Sequence, residues 1–242
     1  MRAAERAELE AMRDFFAAGG VPTRSAGDAL ALRAPGPPTR EMTRILGLYD
    51  LAELDRLEQF YEGGRFWISL DPEAGLDSEL EQRGFTANDA WQKFERGVEP
   101  HPAATALRIG EADDRLGRVF AEAYGLSPST FATGWISAVV GRDGWHAFAA
   151  FDGDEPVATG ALYAVDDSGW LGLAGTLPSH RGCGAQSAIL AARIDRAREL
   201  GLRRLVTETG TPRDGIPGPS YRNIVRSGFE PVYLRPNYAA PA

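Results

Sequence analysis

Residues 170–176, Trp-Leu-Gly-Leu-Ala-Gly-Thr, read as a strand, and a long helical stripe starts near Gly184. Between the two the chain runs Leu177-Pro-Ser-His-Arg-Gly-Cys-Gly184. A strand that stops at a glycine-rich turn and passes into a helix leaves several backbone N–H groups unpaired at the helix start. Two glycines there let the backbone come close to a bound group, and the helix dipole favours negative charge. Arg181 adds a fixed cation. The segment suits a phosphate or pyrophosphate, so a phosphorylated cofactor is expected.

The order of the parts decides between cofactors. A dinucleotide fingerprint needs three glycines at fixed offsets, the first on the end of its strand. Gly182 and Gly184 fit two positions, Ser187 stands in the third, and residues 178–181 separate strand from turn. Glu208, ending the next strand, sits near where a ribose-binding acid belongs, so a nicotinamide-dependent oxidoreductase stays open at this point. No Gly-Lys-Ser/Thr follows, which excludes the Walker pattern. Strand, Pro-x-x-Arg-Gly-x-Gly, long helix resembles the acyl-CoA-binding segment of the GNAT superfamily of N-acetyltransferases. That resemblance implies acetyl-CoA as co-substrate, its pyrophosphate held by loop amides across Arg181, Gly182, Cys183, Gly184, Ala185 and Gln186. Gln186 departs from the family's final Gly or Ala.

The rest of the chain is consistent with this. Residues 106–109 read as a strand, 111–124 and 130–140 as helices, and 145–151, 157–165 and 170–176 as strands joined by short polar turns, hence an antiparallel meander. A helix over 184–200 crosses to a strand at 205–209, and a helix at 220–227 precedes a strand at 229–233. This is the GNAT order over about residues 104–238, and a meander before the glycine turn weakens the dinucleotide reading. Residues 3–18 read as a helix, 42–49 as a strand, 51–61 as a helix, 65–70 as a strand, 76–83 as a short helix and 90–94 as a strand. A loop-prone stretch covers 34–38, and Val98-Glu-Pro-His-Pro102 reads as a linker.

Residues 51–94 repeat the helix, strand, short helix, Gly-Phe, strand order of 184–233, with Arg83-Gly-Phe85 mirroring Ser227-Gly-Phe229. The expected architecture is a duplicated α/β fold of GNAT type. Each half has a mixed, mostly antiparallel sheet with a splayed parallel pair. Residues 1–99 form a degenerate copy without a cofactor cradle, and 104–242 the acyl-CoA-binding domain.

The formal charge of −8 argues against nucleic acid as a partner and leaves a small-molecule amine acceptor open. One cysteine excludes an internal disulfide framework and fits a reducing cytoplasm. No apolar run approaches membrane-spanning length. His180 and Cys183 have no second cluster at zinc spacing, so no metal is expected.

For acyl transfer to an amine, a base must take a proton and a backbone N–H must meet the oxyanion. The resemblance implies that the strand holding Leu173-Ala-Gly-Thr176 supplies that amide, with Ala174 and Thr176 pairing with the pantetheine arm. Glu208 is the candidate base, because Thr207-Glu-Thr-Gly210 is polar where a buried parallel strand should be apolar. The family's tyrosine acid, four residues before Gly-Phe, is replaced by Ile224, with Tyr221 one turn earlier on the same face. Ser220 takes the small-residue position facing CoA, Pro217 replaces the usual Asn, and Asn223 offers an amide one turn on. A CoA-binding sensor or structural protein without turnover is the competing reading.

Overall fold

The computed structural model describes residues 1–35, 39–126, 129–212 and 214–241; residues 36–38 of the expected loop lie outside them. The chain opens with α1 (Ala3–Ala18), β1 (Thr23–Ala26), β2 (Ala29–Arg33), β3 (Thr43–Leu46), α2 (Leu51–Leu57), β4 (Trp67–Ser69), α3 (Asp77–Gln82) and β5 (Thr86–Arg96). It continues with β6 (Arg108–Glu111), α4 (Leu116–Ala123), α5 (Thr130–Ser137), β7 (Trp145–Asp152), β8 (Glu155–Val165) and β9 (Ser168–Thr176). The last elements are α6 (Ala185–Glu199), β10 (Arg204–Gly210), α7 (Pro219–Arg226) and β11 (Glu230–Ala239).

Two compact units result, and neither is one continuous segment. The first takes Met1–Lys93, Glu208–Tyr221 and Pro231–Ala242; the second takes Phe94–Thr207 and Arg222–Glu230. A cut of the chain near residue 100 is therefore too simple. The reason lies in β11, expected with the second half, which pairs antiparallel with β4 through Asn237↔Ser69, Tyr238↔Ile68 and Ala239↔Trp67.

The first unit orders its strands β1-β2-β3-β4-β11-β5. Its β1–β2 hairpin turns on Gly27-Asp28, the two-residue loop that the right-handed strand twist favours. The pair β3–β4 is parallel, with Arg44↔Trp67 and Ile45↔Ile68 in register, and α2 is its crossover. Leu54 and Leu57 of α2 bury against Ile45, Ile68 and Tyr61, the apolar stripe that makes this helix amphipathic.

The second unit orders its strands β10-β9-β8-β7-β6. The meander β7–β8–β9 is antiparallel, as the short polar turns require, and β9–β10 is parallel with α6 as crossover. Ala185 and Ile189 of α6 pack on Phe148, Ala150, Val157 and Ala158 of the sheet. The helix expected at 111–124 begins only at Leu116, because β6 extends through Glu111 into the ladder with β7. Each unit thus has a mixed, mostly antiparallel sheet with one parallel pair and a helical crossover. The repeat read from the sequence is present in the fold. Among the described residues no helix is long and apolar enough to cross a membrane.

Candidate active site

In the second unit the parallel ladder ends at Val206↔Trp170, and the Thr207 hydroxyl donates to the Leu171 carbonyl at 3.0 Å. Beyond that point β9 runs on to Thr176 with no further ladder pair to β10. On its other side its register with β8 slips: Ala161 faces Gly172 and Thr159 faces Gly175. Two steps on β8 match three on β9, which defines a bulge. Leu173 sits in it with φ of 50°, a left-handed conformation that costs a bulky residue energy and needs the surroundings to enforce it.

The enforcement comes from side chains. Four successive carbonyls of β9 each accept a side-chain donor. Arg193 Nη1 donates to Gly172 O at 3.4 Å and Thr159 Oγ1 to Leu173 O at 3.2 Å. Tyr124 Oη donates to Ala174 O at 2.9 Å and Gln186 Nε2 to Gly175 O at 2.7 Å. The Gln186 amide also reaches Thr159 O at 3.0 Å. This explains the residue that departs from the family pattern: its side chain ties the start of α6 to the bulged strand. The Thr176 hydroxyl, at the end of β9, is buried with no hydrogen-bond partner.

After β9 a single 3₁₀ turn, Pro178–His180, leads to the glycines. His180 Nε2 lies 3.2 Å from Asp152 Oδ2, and Cys183 Sγ donates to His180 O at 2.7 Å, so both residues knit the loop. Arg181 Nη2 donates to Ala123 O at 2.8 Å, at the last residue of α4. Gly184 is the N-cap of α6 with φ of 83°, and no side chain caps the helix. A Cβ on Gly184 would lie 2.5 Å from Ala104 O, so only glycine fits this approach. The start of α6 keeps its amides free of side-chain acceptors beside an exposed loop, the arrangement that receives phosphate oxygens. It fits the phosphate-bearing cofactor expected here.

Not every candidate from the sequence gathers in this unit. Asn223 does, its Oδ1 accepting from Ser187 Oγ at 2.6 Å, which leaves its NH₂ as the group to offer. Ser220 and Tyr221 belong to the first unit, and Ser220 is exposed. Glu208 also belongs to the first unit.

There Glu208 enters a buried charge cluster that sequence reasoning missed. Its Oε2 accepts from Arg235 Nη2 at 2.5 Å and Lys93 Nζ at 3.2 Å, and its Oε1 lies 3.6 Å from Arg44 Nη1. Glu8 of α1 accepts from Arg44 Nη2 and Lys93 Nζ, both at 2.5 Å, and from Arg235. Glu5 accepts from Tyr233 Oη at 2.5 Å and Arg235 Nη1 at 3.0 Å. Glu5, Glu8 and Glu208 balance Arg44, Lys93 and Arg235, so the cluster is neutral in sum. Burial alone would raise the Glu8 carboxyl, but Arg235, Lys93 and Arg44 outweigh it and hold it well below the usual carboxylate range. Burial likewise disfavours charge on Lys93, and Glu208, Glu8 and Glu5 reverse that effect. The available signal was faint, a cation next to an apolar residue in each of three strands: Arg44 beside Ile45 in β3, Lys93 beside Phe94 in β5 and Arg235 beside Leu234 in β11.

The comparisons with known proteins agree with this geometry. Residues 114–215 match the model of the acetyltransferase (GNAT) family. A GCN5-related N-acetyltransferase from Kribbella flavida aligns over 100% of this chain and 97% of its own, with TM-score 0.65 and 19% identity. A GCN5-related N-acetyltransferase from Sphaerobacter thermophilus aligns over 98% and 91%, with TM-score 0.60 and 19% identity. A tandem GNAT protein from the clavulanic acid biosynthesis pathway aligns over 98% and 95%, with TM-score 0.62 and 14% identity. At these identities the likeness is one of fold, and the tandem protein matches the duplication seen here. No curated protein matches the chain in sequence. Residues 114–215, the stretch that carries the uncapped crossover helix and the bulged strand, are thus similar to the acetyltransferase (GNAT) family.

Proposed function

We propose that the chain moves an acetyl group from acetyl-CoA to a primary amine of a small molecule. The observation that carries this reading is the uncapped start of α6 next to a strand whose bulge is enforced carbonyl by carbonyl. Arg181 and the amides of Gly182, Cys183, Gly184, Ala185 and Gln186 hold the pyrophosphate. Ala174 and Thr176 pair with the pantetheine arm, and Ser220 and Asn223 serve the cofactor side. The amine nitrogen attacks the thioester carbon, the C–S bond breaks, and CoA leaves as a thiolate. The bulge presents a backbone N–H to the oxygen that gains charge, and its fixed geometry costs no reorganisation during the step.

Two protons must move. Glu208 takes the one lost by the amine, through Oε1, the oxygen less committed to cations. Tyr221 supplies the one gained by the thiolate, since Ile224 cannot. The replacement of the family tyrosine by Ile224 favours one second reading, a CoA-binding protein without turnover. Thioester consumption measured against a panel of amines separates the two.

Glu208→Gln tests the base. Turnover is expected to fall about 10²–10⁴-fold with acetyl-CoA affinity little changed, and the acidic limb of the pH–rate profile should move. The variant is assayed where circular dichroism finds it folded, because Glu208 also balances buried cations. A loss of only a fewfold makes Glu208 an anchor alone and leaves proton removal to water.

A further inference from the structure

Arg193, on the buried face of α6, is 3% exposed. Its Nη1 donates to Ala161 O at 3.2 Å and to Gly172 O at 3.4 Å, and its Nε is buried without a partner. Among the described residues no carboxylate pairs with it. A guanidinium in such a place is costly, since buried charges are normally met by an opposite charge. Burial alone pushes its pKa down to about 9, so the side chain still carries its charge at neutral pH. The fold makes room for it: a Cβ on Gly160, opposite the bulge, would lie 3.0 Å from Arg193 Cζ and 2.9 Å from Ile189 Cγ2. The contrast with Arg44 and Arg235, each buried among carboxylates, is direct.

The atom that Arg193 meets explains the cost. Gly172 O and the N–H of Leu173 are two ends of one peptide group, and Leu173 is the bulge residue with positive φ. A charged donor on a carbonyl polarises its peptide and makes the N–H at the far end a stronger donor. We infer that Arg193 is a positioning residue for acyl transfer, polarising the Gly172–Leu173 peptide so that the Leu173 N–H binds the oxygen of a thioester carbonyl. Its uncompensated charge also favours negative charge developing on that oxygen. No bond to Arg193 forms or breaks. This role rests on the acyl-transfer reading above and assigns it a residue that touches neither acyl group nor amine.

The test uses the whole protein and acetyl-CoA carrying ¹³C at the thioester carbonyl. Infrared difference spectra report how strongly the bound carbonyl is polarised, without an acceptor amine. In the wild type the band is expected to move to lower wavenumber on binding. Arg193→Met, which fills the space without charge, should keep the melting temperature or raise it and bind acetyl-CoA within a fewfold. Its carbonyl band should return most of the way to the solution position, and turnover with any accepted amine should fall about tenfold or more. Arg193→Gln, a neutral donor, should give an intermediate band, and it stands in if the Met variant does not fold. A folded variant with the wild-type band overturns the inference and leaves Arg193 as packing. A wild type that binds acetyl-CoA without any band shift defeats the acyl-transfer reading itself, a different result from failure at Arg193.

Discussion

The two crossover helices start in opposite ways. In the first unit α2 follows β3, and its N-cap, Asp50, places a carboxylate on the amide of Ala52 at 2.8 Å. In the second unit α6 follows β9, and its N-cap is a bare glycine. The same contrast runs through the interiors. Glu5, Glu8, Glu208, Arg44, Lys93 and Arg235 answer one another inside the first unit. The second unit leaves the start of its crossover helix without a side-chain cap and a buried arginine without an acid. Both units keep buried polar atoms without partners, Thr43 Oγ1 in the first and Thr176 Oγ1 in the second among them, so the difference lies in the helix cap and the charge balance. Duplicated topology therefore does not carry duplicated chemistry, and the difference lies in a few side chains at equivalent places.

The largest effect should come from unbalancing the closed unit. Glu8→Gln removes one acid from among three cations, and breaking a buried pair costs about 3–5 kcal/mol. Denaturant unfolding at neutral pH should report that loss; a change under 1 kcal/mol, on the order of a surface pair, would dissolve the contrast. The pH profile gives a second reading. Because the folded state lowers the Glu8 carboxyl, its contribution is present above the ordinary carboxylate range and disappears as pH falls through the lowered value. The raised Lys93 acts the other way, contributing below its ordinary value and fading as pH rises past it. Wild-type stability should thus be flat near neutrality and fall in acid, and Glu8→Gln should flatten the acid limb.

An effect of intermediate size should come from closing the open helix start. Gly182 has φ of 83° and nothing within 4 Å of a Cβ, so an acidic side chain fits there without collision. Gly182→Asp and Gly182→Asn carry the same backbone cost, and their difference isolates charge. The Asp variant should bind acetyl-CoA on the order of a hundredfold more weakly than the Asn variant by calorimetry. Equal affinities would place the phosphate site elsewhere.

The smallest effect should follow from opening the closed helix. Asp50→Ala removes the cap of α2 and should cost about 1 kcal/mol of stability. Acetyl-CoA stoichiometry should stay unchanged, because β3 is followed by no second glycine or cation at the turn. A second equivalent bound by the variant would mean that Asp50 alone closes the first unit.

What the sequence made legible divides along physical lines. Local rules place α1, the β7–β8–β9 meander and the long α6, whose patterns repeat within a few residues. The glycine turn was readable because Gly182 and Gly184 meet a backbone requirement written at the residue itself. The Leu173 bulge was not, since its donors come from three separate places, Thr159 on β8, Tyr124 at the end of α4, and Gln186 and Arg193 on α6. The burial of Glu5 and Glu8 was not legible, because it depends on strands that lie far along the chain. The strand read at 229–233 stops short of β11, which runs to Ala239 through Pro236; that proline lacks an N–H, and its carbonyl accepts from Leu70 N.

The return of β11 to the first unit has a consequence for synthesis. Glu8 leaves the ribosome 227 residues before Arg235, its buried partner. At roughly 5–20 residues per second that interval is on the order of ten to forty seconds. From the emergence of β5 onward, the nascent first unit has a vacant lane between β4 and β5, and Glu5, Glu8, Arg44 and Lys93 await Glu208 and Arg235. A strand edge of this kind can recruit the wrong partner, including the same strand from a neighbouring chain. Late-arriving β11 is thus the step at which this protein is most exposed to exchange between copies.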